Sequence, residues 1–482
     1  MRWRDRFGED AEAMAAVSDL LYSDRIAAAV RAAERVIRTG TNPYAKAQAQ
    51  IMRLTGLVNL GRTTQYTAAV DEGFATIRDM PELYPHGHLH AIAALAARQL
   101  GALERSLTHL VYAHRALSGV DEIDPDLAWG WHNLAMAYSY HGFHAHALSA
   151  IERARQIGGP AGVPPEHFAQ PGIRLRLALS MDHHGDSDGC LRVLRDLITE
   201  LDQYDRAQLR PAHLVAYGYA MARQAALDAN PESPGGPWRD PRPLLSASIE
   251  GQRSRDMQLL GQVCLLVAAG KATDALTRLD GLTVSPDTLG PAEQARLRSL
   301  AFIAGGDYPA AHQADRYAFR LAAKHTDRLR DVFLEGIAAR LDQEDVRRSA
   351  AQHDGGDALT DPLTGLASRE YLERYLAALA ARGERAMVGV VDVDGLAAVN
   401  ELHGRLSGDL VLQRVAGVVA RVLRRGDFVA RRGGDEFAVV LSEASAEHAA
   451  HVAQRITQAV SAEDWAALVP GTRIGVSVSW QN

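Results

Sequence analysis

Residues 1 to about 340 repeat one pattern: an apolar-periodic segment, a glycine, then another apolar-periodic segment. Gly61, Gly101, Gly142, Gly185, Gly270 and Gly306 mark these breaks. Apolar residues recur at three and four positions and strand-like alternation is scarce, so the segments can bury their apolar faces only as packed helices. The clearest unit is WHNLAMAYSYHGFHAHALSAIERARQIGGP. Trp131, Leu134, Ala135 and Tyr138 share one helix face, Gly142 turns the chain, Ala147, Ile151 and Ala154 lie on the second helix, and Pro160 follows it. Weaker copies place Leu110 and Ala113 after Gly101, Cys190 and Leu194 after Gly185, Ala275 and Leu279 after Gly270, and Ala311 and Ala318 after Gly306.

The unit around Gly142 resembles a tetratricopeptide repeat, with Ala135 where that pattern usually has glycine. Gly101, Gly142 and Gly185 are 41 and 43 residues apart, longer than the repeat of about 34. The expectation is an all-α helical-repeat solenoid over 1–325, divergent and with long helices. It either binds a peptide or protein on a concave face or serves as a scaffold or dimerisation module; repeat architecture does not decide between them. The Pro/Gly-rich stretches GGPAGVPPEHFAQP and PESPGGPWRDPRP read as loops between units. His86, His88, His90, His183 and His184 read as structural residues, because adjacent positions point to different helix faces and no acid or cysteine nearby completes a ligand set.

The remaining composition narrows the function classes. A length of 482 residues suggests two to four domains. A net charge of −7 gives no electrostatic case for nucleic-acid binding. The two cysteines, Cys190 and Cys264, lack metal-ligand spacing and read as buried thiols of a reducing compartment. No apolar run approaches the roughly 18 residues needed to span a bilayer, so a cytoplasmic chain without membrane contact is expected. Lysine stands only at Lys46, Lys271 and Lys324; any phosphate site beyond Lys324 must use arginine, backbone N–H groups or a metal.

Residues 326–358 read as a connecting helix and linker. Leu329, Phe333, Ile337, Leu341 and Val346 form a partial heptad stripe suited to pairing with a second chain, and HDGGDAL breaks it. From 359 to 482 the pattern becomes α/β. MVGVVDVD is a buried-strand run, DFVARRGGDEFAVVL reads as two strands about a turn, and TRIGVSVSW as another strand. Asp392 ends a strand, where α/β sheets commonly place ligand groups. Asp435 and Glu436 follow Gly433 and Gly434, glycines that permit a positive-φ turn and close approach of a ligand. Carboxylates converging from adjacent strands suit Mg²⁺, and Asn400 and Asp409 offer the groups that read a guanine edge. Taken alone, a Gly-Gly-Asp turn is more often an ordinary hairpin.

Together, DPLTGLASREYL, VDVDGLAAVNELHGRLSGD and RRGGDEF resemble, in order and spacing, the GGDEF family of diguanylate cyclases over the last 122 residues. The resemblance implies a nucleotidyl cyclase-like fold and condensation of two GTP into cyclic di-GMP and two pyrophosphates by a homodimer. It implies Asp392, Asp435, Glu436 and the carbonyl of Val393 as ligands of Mg²⁺ or Mn²⁺. Asn400 and Asp409 would read guanine, Gly433 and Gly434 would lie against phosphates, and Glu436 would serve the metal or the 3′-hydroxyl. Arg424 and Asp427, with five residues between the aspartate and Gly433, match the family's product-inhibition site. The chain departs from the family at Gly395, Leu396 and Ala397, which replace bulky residues and a lysine, and at Arg405, which replaces a common histidine. It ends at GVSVSWQN, where the family normally adds a helix and a strand with phosphate-binding cations; the domain is expected to be C-terminally short and to hold GTP more weakly. Two functions follow: a cyclase controlled by its helical-repeat half and by product, or an adaptor that binds GTP or cyclic di-GMP without turnover while the repeats recruit a partner.

Overall fold

The computed structural model describes residues 3–78, 80, 83–120, 122–228, 240–328, 361, 363–383, 385–424, 427–442 and 444–481. The heptad stripe from Leu329 to Val346 and most of PESPGGPWRDPRP lie outside these residues. The chain divides into two compact units, residues 1–99 with 108–328, and residues 100–107 with 329–482.

The first unit is helical. Its elements are α1 (Ala11–Tyr22), α2 (Ile26–Thr39), α3 (Pro43–Leu60), α4 (Tyr66–Ile77), α5 (Leu83–Gln99), α6 (Leu103–Ser118, which runs in from the second unit), α7 (Pro125–Tyr140), α8 (His144–Gly158), α9 (Pro171–His183), α10 (Ser187–Leu201), α11 (Pro211–Leu227), the single turn α12 (Arg242–Leu245), α13 (Gln252–Ala268), α14 (Ala272–Asp280), the single turn α15 (Pro286–Leu289), α16 (Glu293–Ala304) and α17 (308–328). Neighbours pack in pairs, α2 on α3, α7 on α8, α9 on α10 and α11 on α13. All six glycines expected at turns adopt positive φ, from 69° at Gly270 to 94° at Gly185. This left-handed conformation lets a helix stop and the chain reverse without a Cβ clash. Proline opens α3, α7, α9 and α11, where its missing N–H costs nothing. The stretch expected as a loop after α8 contains a short 3₁₀ turn, Pro165–Phe168.

The core of this unit is not only apolar. Arg223, fully buried on α11, donates from Nε to Glu293 Oε1 at 2.8 Å and from Nη2 to Asp182 Oδ2. Arg296 of α16 grips the same Asp182 with two bonds, at 2.9 and 3.0 Å. Tyr219 donates to Glu293 at 2.5 Å and His183 lies 2.6 Å from its other oxygen. Two arginines and two acids thus tie α9, α11 and α16 together with their charges matched. His183 does have an acidic partner, but from 110 residues away, and the result is an ion network, not a metal site. His90 Nδ1 meets His109 Nδ1 at 2.8 Å. Burial pushes His88 down to about 4 and His132 and His141 down to about 3, leaving them neutral near pH 7. Cys190 and Cys264 are buried free thiols, each pushed up to about 12 by desolvation. No described helix is long and apolar enough to cross a membrane.

The second unit contains α18 (Arg369–Ala381), β1 (Ala386–Asp394), α19 (Leu396–His403), α20 (Arg405–Val422), β2 (Phe428–Gly433), β3 (Glu436–Ser442), α21 (Ala446–Ala462) and β4 (Gly475–Gln481). The sheet order is β2-β3-β1-β4 and each neighbouring pair is antiparallel. Strand alternation sorts its faces. Val391, Val393, Phe437, Val439 and Leu441 pack with Val411 and Val415 of α20 and with Val452 and Ile456 of α21. Ala438 and Val440 point the other way, toward Leu372 and Leu379 of α18. Both faces are therefore covered, which explains the nearly continuous apolar runs in β1 and β3.

Glu293→Ala should leave Arg223 short of a charged partner in the interior and lower stability by about 3–5 kcal/mol, read as an earlier urea midpoint of the helical circular-dichroism signal. Burial alone would raise Asp182 and Glu293, but Arg223 outweighs it and both titrate below the ordinary carboxylate range. Their contribution is present above the unfolded-state values of about 4 and is lost as pH falls through the folded-state values. The wild-type advantage should therefore shrink in acid; a deficit below about 1 kcal/mol at neutral pH would contradict a network role.

Candidate functional site

The turn between β2 and β3 is built from backbone geometry. Gly433 has φ 136° and Gly434 φ 58°, and a Cβ at either would meet nothing within 4 Å. Glycine is favoured here by conformation, not by crowding, and the space over the turn is open. Gly433 pairs with Glu436 after an irregularity that follows Arg431, so the hairpin closes within two intervening residues.

β1 runs beside this hairpin in a register that sets Asp392 directly opposite Glu436. Directly opposed residues on antiparallel strands share one face, with Cβ atoms about 4.5–5.5 Å apart. The Val393 N–H donates to the Asp435 carbonyl at 3.2 Å, which ties the turn to the end of β1. Because the pairings are antiparallel, the crevice rule for parallel sheets does not place Asp392; adjacency to the hairpin does. Asp435 is exposed, Asp392 and Glu436 half-exposed. Glu436 is ion-paired with Arg432 at 3.4 Å. The oxygen donors of Asp392, Asp435 and Glu436 are of the hard type that suits Mg²⁺, which keeps waters and phosphate oxygens as its other ligands. Among the described residues no three His, Cys, Asp or Glu side chains already stand together at metal-binding spacing.

Asn400 and Asp409 come from consecutive helices, α19 and α20, and both are exposed. Their nearness depends on Gly408: a Cβ there would stand 2.1 Å from Asn400 Oδ1, a clash that would displace the amide. Partial burial raises the Asp409 carboxyl above its ordinary range, with Arg431 and Arg405 acting in the opposite sense. Gly395 has φ 88°, and a Cβ on it would meet the Arg473 carbonyl at 2.7 Å. Its departure from the family pattern is therefore matched by local backbone packing, while Leu396 is buried and Ala397 exposed.

Arg424 and Asp427 are in contact. The Arg424 N–H donates to Asp427 Oδ2 at 3.1 Å and its Nε lies 3.4 Å from Oδ1, with the arginine side chain 59% exposed and the aspartate 2%. The carboxylate is thus held by the local turn and the guanidinium reaches solvent.

Sequence reading assigned no role to Asp361, Thr364 or Arg431. Asp361 accepts from the Thr364 N–H and hydroxyl at 2.8 and 2.7 Å. Arg431 lies 3.2 and 3.3 Å from the Asp361 oxygens and donates to the Gly434 carbonyl at 2.7 Å. Burial would raise Asp361, but these Thr364 and Arg431 contacts hold it below the ordinary range. One arginine therefore links the loop before α18 to the glycine turn. Its signal was present, since both residues stand inside the quoted motifs, but a contact 70 residues apart in sequence has no local pattern.

Residues 358–479 match the family described as Diguanylate cyclase, GGDEF domain. Diguanylate cyclase DgcP of Pseudomonas aeruginosa is 40% identical over 109 residues, covering 22% of this chain and 16% of its own. Diguanylate cyclase A of Treponema denticola is 33% identical over 127 residues, covering 25% of this chain and 34% of its own. This chain thus spans about a third or less of the length of these relatives. Among solved structures, the GGDEF domain of DgcB from Caulobacter crescentus in complex with c-di-GMP is 32% identical, covering 27% of this chain and 79% of its own, with a TM-score of 0.24. The C-terminal segment is a GGDEF domain.

Arg431→Met should release the Gly434 carbonyl and one side of Asp361. Amide exchange at residues 433–436 should then rise by about tenfold, the factor of one lost contact of about 1.4 kcal/mol. Unchanged exchange at the turn in hydrogen-exchange mass spectrometry would show that the hairpin holds itself.

Proposed function

We propose that this chain is a diguanylate cyclase that condenses two GTP into cyclic di-GMP. The observation that carries the reading is the register that sets Asp392 opposite Glu436 beside an open Gly433–Gly434 turn, within a domain whose relatives are named diguanylate cyclases. In the reaction, the 3′-hydroxyl oxygen of each GTP attacks the α-phosphorus of the other. A P–O bond forms, the bond to the β-phosphate bridge breaks, and pyrophosphate leaves. The hydroxyl proton passes to Glu436 or through it to solvent, a role that frees Glu436 from Arg432. Asp392, Asp435, Glu436 and the Val393 carbonyl would hold Mg²⁺ or Mn²⁺, which supplies positive charge to the phosphate oxygens. Gly433 and Gly434 allow the phosphates close to the backbone. Asn400 and Asp409 hold guanine, and Arg424 and Asp427 bind product as an inhibitory site, the arginine fork gripping a phosphate or guanine acceptor.

Each domain holds one GTP, so the reaction needs two copies facing each other, and a homodimer belongs to the proposal. The tetratricopeptide-like array over 1–325 senses a peptide or protein and, through 326–358, sets the geometry of the two domains at 359–482. The expected setting is the cytoplasm. A second reading, nucleotide binding without turnover as an adaptor, is favoured by one observation: Ala397 presents only a methyl group near the end of β1.

Purified chain incubated with GTP and Mg²⁺ should yield cyclic di-GMP by chromatography, and Glu436→Ala should abolish it while leaving GTP binding measurable. Full activity in that variant would refute the assignment of Glu436. Nucleotide binding by the wild-type chain without product would establish the adaptor reading.

A further inference from the structure

A second arginine cluster in the helical unit is not matched in charge. Arg98 closes α5, Arg176 lies in α9 and Arg253 opens α13; Tyr140 at the end of α7 stands among them. The Arg176 guanidinium carbon is 3.8 Å from the Tyr140 ring centroid and that of Arg253 is 4.1 Å away. Such stacking orients the planar groups and leaves their edges for hydrogen bonding. Arg176 uses one edge, donating from Nε to Ser139 Oγ at 2.8 Å. Arg98, with a side chain 7% exposed, reaches Asp287 of α15 at 3.1 Å through Nη2. Its Nε and Nη1 are buried with no hydrogen-bond partner, and so is the Nε of Arg253.

Among the described residues, Asp287 is the carboxylate paired with any of these three arginines. The contrast with Arg223 and Arg296 is internal to the same unit: there two arginines share two buried acids, here one of three arginines is paired with an acid. Arg98, Arg176 and Arg253 also lie within electrostatic range of one another. Desolvating a guanidinium is unfavourable unless a counter-charge offsets it, and buried N–H groups left unmade are rare. Burial would raise the Tyr140 hydroxyl, yet Arg176 and Arg253 pull it below its ordinary value, which marks the spot as electropositive.

We propose that Arg98, Arg176 and Arg253 form a binding site for a small, multiply charged oxyanion inside the helical unit, with Arg98 Nε and Nη1 and Arg253 Nε as its donors. Phosphate and a dicarboxylate share this chemistry: planar or tetrahedral oxygens that accept from guanidinium edges and carry the charge that Asp287 alone does not. The site joins the ends of α5, α7, α13 and α15 to the middle of α9, so its occupancy bears on how those helices are held together. It is independent of the nucleotide reading of the GGDEF domain.

The full chain is titrated calorimetrically with inorganic phosphate and, separately, with succinate; whichever saturates identifies the source. Arg98→Met should weaken that binding by about tenfold or more, the loss of a charge-assisted contact. Asp287→Asn, which removes the competing carboxylate, should tighten it several-fold. Phosphate held by the GGDEF domain would be indifferent to both substitutions, so identical titrations in all three proteins overturn the proposal. Absence of saturable binding of either anion to the wild-type chain also overturns it. Should Arg98→Met fail to fold, the sign in Asp287→Asn decides: unchanged or weaker affinity contradicts the site.

Discussion

A slip of one residue between β1 and β3 would undo the candidate site of the α/β unit. Side chains alternate across a strand, so the slip would turn Asp392 away from Glu436 and drive Val391 and Val393 out of the core. The register is held by apolar residues on both faces. Val391, Val393, Phe437, Val439 and Leu441 fill one side under α20 and α21, while Ala438 and Val440 meet α18 on the other. The acids at the strand ends are thus placed by burial further along the strands. The turn adds the last constraint, through positive φ at Gly433 and Gly434 and the Arg431 bridge between Asp361 and the Gly434 carbonyl.

The turns of the helical unit were legible because a residue with positive φ has a chemical signature. Gly142 and Gly185 could be named from their place between periodic segments, and each adopts the left-handed conformation. The strand runs and the glycine hairpin were legible for similar reasons, as was the nearness of Asp392 to the hairpin. What could not be read were contacts that pair distant residues. Glu293 meets Arg223 across 70 residues and His183 across 110, so the histidine seemed to lack an acid. The need for glycine at Gly395 and Gly408 lies in space and leaves no local pattern. One excludes a Cβ against the Arg473 carbonyl and the other against Asn400. Neither neighbour is adjacent in sequence.

Arginine carries nearly all the positive charge of this chain, and its two buried clusters show what that permits. Its guanidinium stays charged in the interior and offers five donors in a plane. Around Arg223 the Nε and Nη2 donors meet acids and the cluster acts as a clamp between helices. Around Tyr140 three arginines stand beside a single paired carboxylate, Asp287. The difference lies in the count of acids nearby, not in the type of cation.

The proposed function requires that β1 and β3 bring Asp392 and Glu436 to one edge where a divalent ion and nucleotide phosphates meet. Electron paramagnetic resonance of Mn²⁺ in the presence of GTP measures this directly. The wild-type chain should convert free Mn²⁺ to a bound signal in a GTP-dependent manner, and Asp392→Asn should lose most of that signal while its sheet circular dichroism is unchanged. Equal Mn²⁺ uptake by the folded variant would show that the strand register does not create the site.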